Sequence, residues 1–236
     1  MEQDKTRPAF TSRMRGYELA AALVYIPIHV LGVPMLLGWL FAEGRISSVG
    51  VNTLYYIIGA AYMLVFLWRF FRTEFYSLCD YGFGFVLEIL KSYGIMILCS
   101  LVVNGALMAA GFSSNPNNEA IFEMAGEDIA HTAAIAVFLA PIVEEPMFRG
   151  GIFGLIRRKS RFAAYAVSML AFGAYHVWGY VGSDPLTWLY VLQYLPISFL
   201  LARCYEKTNS IWTSIFLHMT VNGISMLAVS ALGELL

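Results

Sequence analysis

Charged residues are scarce in this sequence. Only 13% of its 236 residues are Asp, Glu, Lys or Arg, whereas ordinary soluble domains contain about 25%. Hydrophobic residues make up 59% of the chain. This composition lies far outside that of a soluble domain and indicates a membrane protein.

Cysteine is also rare, and its three copies, Cys79, Cys99 and Cys204, have no CxxC spacing. They lie in or near the predicted membrane segments or on the reducing side, which argues against a disulfide framework and gives no metal signature. The chain contains no internal repeat, low-complexity tract or second domain, so we expect a single domain over residues 1–236. The missing repeat weakens the interpretation as a proton-coupled transporter.

What the sequence does contain is a series of apolar runs, each about 20 residues long, the length that an α-helix needs to cross a bilayer. They predict an all-α, polytopic transmembrane bundle with about seven spans. The mixed charged and aromatic segment 73–91 predicts an interfacial helix in addition. The runs are 17–42, 50–71, 92–112, 129 to the basic cluster at 157–161, 162–181, 186–202 and 210–232.

The positions of the basic residues predict the orientation. With seven alternating spans, every Lys and Arg except Arg45 falls on the side of the basic leader 1–16. By the positive-inside rule that side is cytoplasmic, so we expect a cytoplasmic N-terminus and an external C-terminus. We also expect an integral protein of a bacterial cell membrane whose active site opens toward the cytoplasm.

Three charges interrupt the fourth run, at Glu144, Glu145 and Arg149. Ionisable groups in a span cost about 2.5–3.5 kcal/mol each near the bilayer centre and therefore mark a functional site by default. Glu145 and Arg149 are four residues apart and can pair on one helix face, whereas Glu144 is rotated away by about 100°. Glu145 is therefore predicted to be structural and Glu144 to be available for chemistry.

Two later spans carry polar side chains with the same four-residue spacing: Phe172 with His176, and His218 with Asn222. Counted from the basic flank at about 1.5 Å per residue, Glu144, His176, His218 and Asn222 all lie at a depth of about 16–22 Å. A carboxylate and a neutral imidazole can activate a water molecule, and a second imidazole and an amide can donate to an oxyanion. This set suits hydrolysis of a peptide bond or a lipid ester.

These motifs, EExxxR, FxxxH and HxxxN, resemble those of the CPBP family of intramembrane proteases, which includes the CAAX prenyl endopeptidases and bacterial relatives linked to bacteriocin processing and immunity. The resemblance implies a catalytic core over 129–225. It implies that Glu144 and His176 activate the water, that His218 and Asn222 form the oxyanion hole, and that Glu145 and Arg149 hold the site together. Pro146 departs from the bulky apolar residue common at that position in the family.

Other interpretations remain open. One Glu and two His could bind zinc, although the HExxH arrangement is absent and we expect no cofactor. The chain could also be a non-catalytic immunity or partner module, and the EExxxR motif alone could be a buried ion pair. We interpret His29 and His131 as interhelical hydrogen-bonding residues. The expected partners are membrane lipid and a peptide or protein substrate, without nucleic acid.

Overall fold

Nine helices, which we label α1 to α9, form the part of the chain that the computed structural model describes, residues 10–112, 114–182 and 184–233. Within those ranges there is no β-strand. The helices are α1 (Gly16–Ala42), α2 (Ser48–Phe66), α3 (Trp68–Tyr81), α4 (Gly84–Ala109), α5 (Pro116–Glu127), α6 (Ile129–Arg157), α7 (Arg161–Val177), α8 (Val191–Thr208) and α9 (Ile211–Gly233).

Six helices of the described chain are long and apolar enough to cross a membrane: α1, α2, α4, α6, α8 with its preceding 3₁₀ turns, and α9. The predicted fifth span is α7, whose 17 residues match the lower end of the range of about 17–25 residues that spans require. Large apolar side chains such as Met35, Val102 and Leu227 are more than 70% exposed on the outer faces. A helical membrane bundle accounts for this outward apolar surface.

Two predicted boundaries differ from the structure. The second run breaks at Leu67, and the predicted interfacial segment 73–91 is divided between α3 and the first turns of α4. Gly82 separates these helices with a positive φ of 61°, which a residue without a Cβ adopts at little cost. The charged residues at the start of α4 are compatible with a span because Glu88 is buried and accepts from Lys207 at 2.5 Å.

Ion pairs link the helices at one end of the bundle, which we call the basic end. Arg69 pairs with Glu18, and both Arg157 and Arg161 pair with Glu206. These pairs join α1 to α3, and α6 and α7 to α8. They place the basic clusters of the sequence at one level, as the span count predicted.

The predicted leader packs against this end. The Ser12 hydroxyl donates to the buried Glu74 carboxylate at 2.7 Å, and Arg158 donates to the Met14 carbonyl at 3.3 Å. The ring of Phe10 packs edge-on against Tyr205, with 5.1 Å between the centroids. The leader is therefore part of the bundle from residue 10 onward, and residues 1–9 lie outside the described residues.

Helix α5 lies at the other end, which we call the amide end. The Asn115 amide, just before α5, donates to Gln193 Oε1 at 2.7 Å and to the Tyr194 hydroxyl at 3.1 Å. Asn52, early in α2, contacts Met124 Sδ at 3.6 Å. These contacts hold α5 across the ends of α2 and α8.

Candidate active site

Helix α6 carries the charged motif in an irregular backbone. Its α-helical stretch Ala140–Glu145 lies between two π-helical stretches, Ala134–Leu139 and Pro146–Phe153. Both prolines of the motif lie at these junctions and have no N–H to donate to the helix. Pro146, the predicted departure from the family pattern, therefore changes the helical register directly after Glu145, and π-helical stretches of this kind are frequent at functional sites.

Glu145 makes the contact with Arg149 that four-residue spacing predicted. Its Oε1 lies 3.1 Å from Arg149 Nη1 and 2.8 Å from His218 Nδ1, and its Oε2 accepts from the Ser214 hydroxyl at 2.5 Å. Arg149 is fully buried, and its Nη2 also donates to Ser198 Oγ at 2.9 Å. A buried carboxylate with three hydrogen-bond partners, one of them its counterion Arg149, satisfies the condition under which buried charges are tolerated.

Phe172 completes the surroundings of the arginine. The Arg149 guanidinium carbon lies 4.1 Å from the centre of the Phe172 ring, and the same ring packs against His176 with 4.5 Å between centroids. The contact with Arg149 has cation–π geometry. Phe172 thus packs against both the arginine and the histidine and restricts the rotamers of His176.

Glu144 faces the two histidines of the predicted set. Its Oε2 lies 3.8 Å from His176 Nε2 and 4.0 Å from His218 Nε2. The carboxylate is buried, and this oxygen has no hydrogen-bond partner among the described residues. Both separations are too long for a direct hydrogen bond, but they suit two contacts of about 2.8 Å to a shared water molecule.

Hydrogen bonds determine which nitrogen of each ring faces Glu144. His176 Nδ1 lies 2.8 Å from the Phe172 carbonyl oxygen, and His218 Nδ1 lies against the Glu145 carboxylate. Because a carbonyl and a carboxylate can only accept, Nδ1 carries the proton in both rings. In a neutral ring the lone pair of Nε2 then points toward Glu144, which is the tautomer that accepts a proton from water.

Asn222 lines the same cavity as Glu144 and both histidines, and its Nδ2 donates to the Ala136 carbonyl at 2.7 Å. In a π-helical stretch each carbonyl accepts from the N–H five residues later, as the Ile135 carbonyl does from Ala140. The donor for the Ala136 carbonyl would be residue 141, a proline, which has no N–H. Asn222 supplies the missing hydrogen bond. An amide has two N–H groups, so one donor remains for the cavity.

The cavity has a volume of 520 Å³ and lies on the amide-end side of Glu144. Its wall includes Asn52, Asn104, Asn118, Gln193 and Met226, which come from the amide-end parts of five structural elements. The cavity therefore lies away from the basic end, which the positive-inside rule assigns to the cytoplasm. Buried side chains fill the bundle between Glu144 and the basic end: Met147, Phe148, Arg149, Phe153 and Tyr205.

The two glycines that follow Arg149, Gly150 and Gly151, serve helix packing rather than the cavity. A Cβ on Gly151 would lie 3.3 Å from Leu23, and one on Gly150 would collide with the Met14 side chain. These two glycines let α1 and the leader approach α6 closely.

Sequence reasoning missed the hydroxyl partners Ser198 and Ser214 and the tyrosine Tyr194, whose ring stacks on His176 at 4.6 Å. A signal for Ser214 was present, because Ser214, His218 and Asn222 repeat at four-residue spacing on one face of α9. No such signal exists for Ser198, since its contact depends on how α8 packs against α6.

The other histidines lie in the predicted kind of surroundings. His29 Nε2 lies 3.2 Å from the Tyr175 hydroxyl, and His131 Nε2 lies 3.0 Å from Thr53 Oγ1. Both contacts join different helices, as expected for interhelical hydrogen bonds.

In residues 10–112, 114–182 and 184–233, no group of three or more His, Cys, Asp or Glu has the arrangement of a metal site. Tetrahedral ligands at about 2.1 Å from zinc lie about 3.4 Å apart, and the separations around Glu144 Oε2 are wider, at 3.8 and 4.0 Å. The zinc alternative rests on Glu144, His176 and His218 as ligands.

Fold and site together define an integral membrane protein of helical type with a buried carboxylate between two imidazoles. Comparison with known families extends this description. The family described as "Type II CAAX prenyl endopeptidase Rce1-like" matches residues 127–224. The resemblance to CAAX-type proteases is thereby confirmed for the part of the chain that carries the site.

Two curated relatives match shorter stretches. "UPF0177 protein YxdF" of Lactococcus lactis subsp. lactis (strain IL1403) is 33% identical over 84 residues, which cover 36% of this chain and 42% of the relative. "Putative membrane peptidase YdiL" of Bacillus subtilis (strain 168) is 32% identical over 89 residues, 37% of this chain and 33% of the relative. The match thus spans less than half of either relative, and no solved structure matches.

Proposed function

We propose that the protein is an intramembrane endopeptidase that hydrolyses a peptide bond with a water molecule activated by Glu144 and His176. One observation carries the proposal: the unpartnered Oε2 of the buried Glu144 lies 3.8 Å from His176 Nε2 and 4.0 Å from His218 Nε2. The matched family's description as an endopeptidase and the membrane-peptidase name of YdiL support the same reaction.

In the proposed reaction a water molecule donates one hydrogen bond to Glu144 Oε2 and the other to His176 Nε2. Glu144 takes a proton as the water oxygen forms a bond to the peptide carbon, and the carbonyl oxygen becomes an oxyanion. When the C–N bond breaks, Glu144 returns that proton to the leaving amine. Because no covalent bond to the enzyme forms, one carboxylate serves as base and then as acid.

The oxyanion is assigned to His218 and Asn222. His218 lies between the Glu145 and Glu144 carboxylates, and its Nε2 donates to the oxyanion once that nitrogen carries a proton. Asn222 offers the N–H that is not used by Ala136. Donors preorganised in a water-poor site are worth about 10²–10³ in rate each.

The test compares purified protein in detergent with variants, using a library of quenched fluorescent peptides. We expect Glu144→Gln and His176→Ala to lower kcat by about 10²–10⁴, the usual contribution of general base catalysis. His131→Ala is the matched control, because His131 bonds to Thr53 and is not in the cavity lining, and it should retain activity. Full cleavage by the Glu144→Gln protein contradicts the mechanism.

Two further outcomes separate the alternatives. A zinc enzyme loses activity with a chelator and recovers it with added metal, whereas the proposed mechanism is insensitive to chelation. If no peptide is cleaved, and a cellular phenotype of the gene survives Glu144→Gln, the chain is a non-catalytic immunity or partner module instead.

We also propose that the basic end faces the cytoplasm of a bacterial cell and that the cavity therefore opens to the outside. The excess of Lys and Arg at the basic end supports this orientation. Cys79 is exposed near the basic end and serves as a natural internal control. In intact cells a membrane-impermeant maleimide should label Asn118→Cys and leave Cys79 unlabelled, and the reverse pattern would overturn the orientation.

A further inference from the structure

Side-chain amides surround the cavity, and among its described lining residues there is no Lys or Arg. Glu144 is the acidic side chain of this lining. We infer that the site takes an uncharged, internal stretch of polypeptide and does not recognise a free C-terminal carboxylate; this inference rests on the proposed function. The amides are Asn52, Asn104, Asn115, Asn117, Asn118, Gln193 and Asn222.

Amide side chains match the peptide backbone because an amide group has both donors and an acceptor. Asn115 uses its own on Gln193, Tyr194 and the Asn117 N–H, so the substrate meets the other amides of the set. A terminal carboxylate offers acceptors alone, so it leaves the amide oxygens of the lining without a donor. In this cavity it meets the carboxylate of Glu144, which repels it. An internal segment avoids this cost, since its backbone is neutral.

The cations of the described chain are held elsewhere. Arg149 is buried on the basic-end side of Glu144 and is occupied by Glu145 and Ser198. Arg45, the basic residue predicted at the amide end, lies over the Trp39 ring at 5.4 Å and is not among the lining residues. An anion in the cavity thus has no guanidinium or ammonium group to pair with.

The amides are linked to the proposed catalytic residues. Asn115 donates to Tyr194, whose ring stacks on His176 with 4.6 Å between centroids and an angle of 24°. A polypeptide segment held by the amides therefore lies in the same cavity as Glu144 and His176. The remaining wall is apolar, including Met96, Ile121 and Ile197, and suits apolar substrate side chains.

The same charge distribution favours release of product. Hydrolysis of an internal bond forms a new carboxylate within the cavity, beside Glu144 and away from any described Lys or Arg. Repulsion between the two carboxylates expels this product. A substrate that already carried its carboxylate close to the scissile bond would meet the same repulsion before reaction.

The experiment uses one quenched sequence in three forms: ending three residues after the scissile bond as a free acid, ending there as an amide, and extended by uncharged residues. With the wild-type protein in detergent, we expect kcat/KM for the amide and extended forms to exceed that for the acid by about tenfold or more. Equal or better cleavage of the free acid overturns the inference and leaves the proposed function standing.

A matched pair of variants tests the cause. Asn118→Lys adds a cation to the cavity lining and should reduce the preference against the free acid at least threefold. Glu119→Gln makes the same change of one charge on the next exposed residue, outside the lining, and should leave the preference unchanged. Equal effects of the two variants also overturn the inference.

If the wild-type protein cleaves none of the three forms, the proposed function fails, and binding decides the inference separately. Fluorescence anisotropy with the same peptides should then show weaker binding of the free acid than of the amide. Equal or tighter binding of the acid refutes the inference.

Discussion

The same substitution should mainly lower the stability of the protein at Glu145 and mainly lower its activity at Glu144. Glu145→Gln keeps the shape of the side chain but leaves Arg149, whose side chain is fully buried, without its counterion. Breaking a buried pair by removing one partner costs about 3–5 kcal/mol. Glu144→Gln removes no hydrogen bond at Oε2, which has no partner among the described residues. Its effect on the free energy of unfolding should therefore stay within about 1 kcal/mol.

Thermal unfolding in detergent, followed by tryptophan fluorescence, measures both variants beside the wild type. At about 2–4 °C per kcal/mol for a chain of this size, Glu145→Gln should lower Tm by about 6–20 °C. Glu144→Gln should shift Tm by a few degrees at most while abolishing peptide cleavage. The double variant Glu145→Gln/Arg149→Met should recover part of the lost stability, because it removes both charges. A stable Glu145→Gln protein together with an unstable Glu144→Gln protein would refute the division of roles.

Three further outcomes follow from the packing. Gly173→Ala should lower the free energy of unfolding by about 1–3 kcal/mol, because the new Cβ would lie 2.7 Å from Val191 Cγ1 and 3.1 Å from the Val191 carbonyl oxygen. The control Gly94→Ala has free space and should stabilise α4 by about 0.5–1 kcal/mol. Equal effects of the two variants in thermal unfolding would contradict the close packing of α7 against α8 at Gly173. Arg149→Lys should lower Tm, since an ammonium group cannot reproduce the paired contacts of the guanidinium. Unchanged Tm and activity would contradict the role of the guanidinium in joining Glu145 to Ser198. Burial raises the pKa of Glu74 to about 7. Between pH 5 and 7 the folded protein therefore holds a proton that the unfolded chain has lost, and the free energy of unfolding should fall by about 1.4 kcal/mol per pH unit. Glu74→Gln should flatten this slope when unfolding is measured across that range, and an unchanged slope would assign it to another group.

Much of the fold could be predicted because membrane spans depend on local composition. A run of about 20 apolar residues is enough to predict a helix in lipid, since no other local structure satisfies its backbone there. The predicted start of a span was wrong where a charged residue lies inside the helix, as at Glu88. Its burial depends on Lys207, which is distant in sequence. The length of α4 was therefore underestimated.

The candidate site was predictable as a set, because four-residue spacing and a shared depth group Glu144, His176, His218 and Asn222 without coordinates. Their catalytic roles stay a prediction. Depth along a helix gives no direction around the helix, and so the sequence does not show on which side of Glu144 the cavity lies. That side depends on which residues fill the bundle beyond Glu144, such as Phe153 and Tyr205.

The sequence by itself determined that this chain is a helical membrane protein, that its basic residues gather at one end, and that Glu145 pairs with Arg149. Each of these follows from hydrophobicity, charge placement or helical spacing, which act over a few residues. Only the tertiary structure decided that His218 bridges toward both glutamates and that the cavity lies among amides at the end opposite the basic residues. These features depend on contacts between helices that are far apart in the chain, and the packing of whole helices sets those contacts.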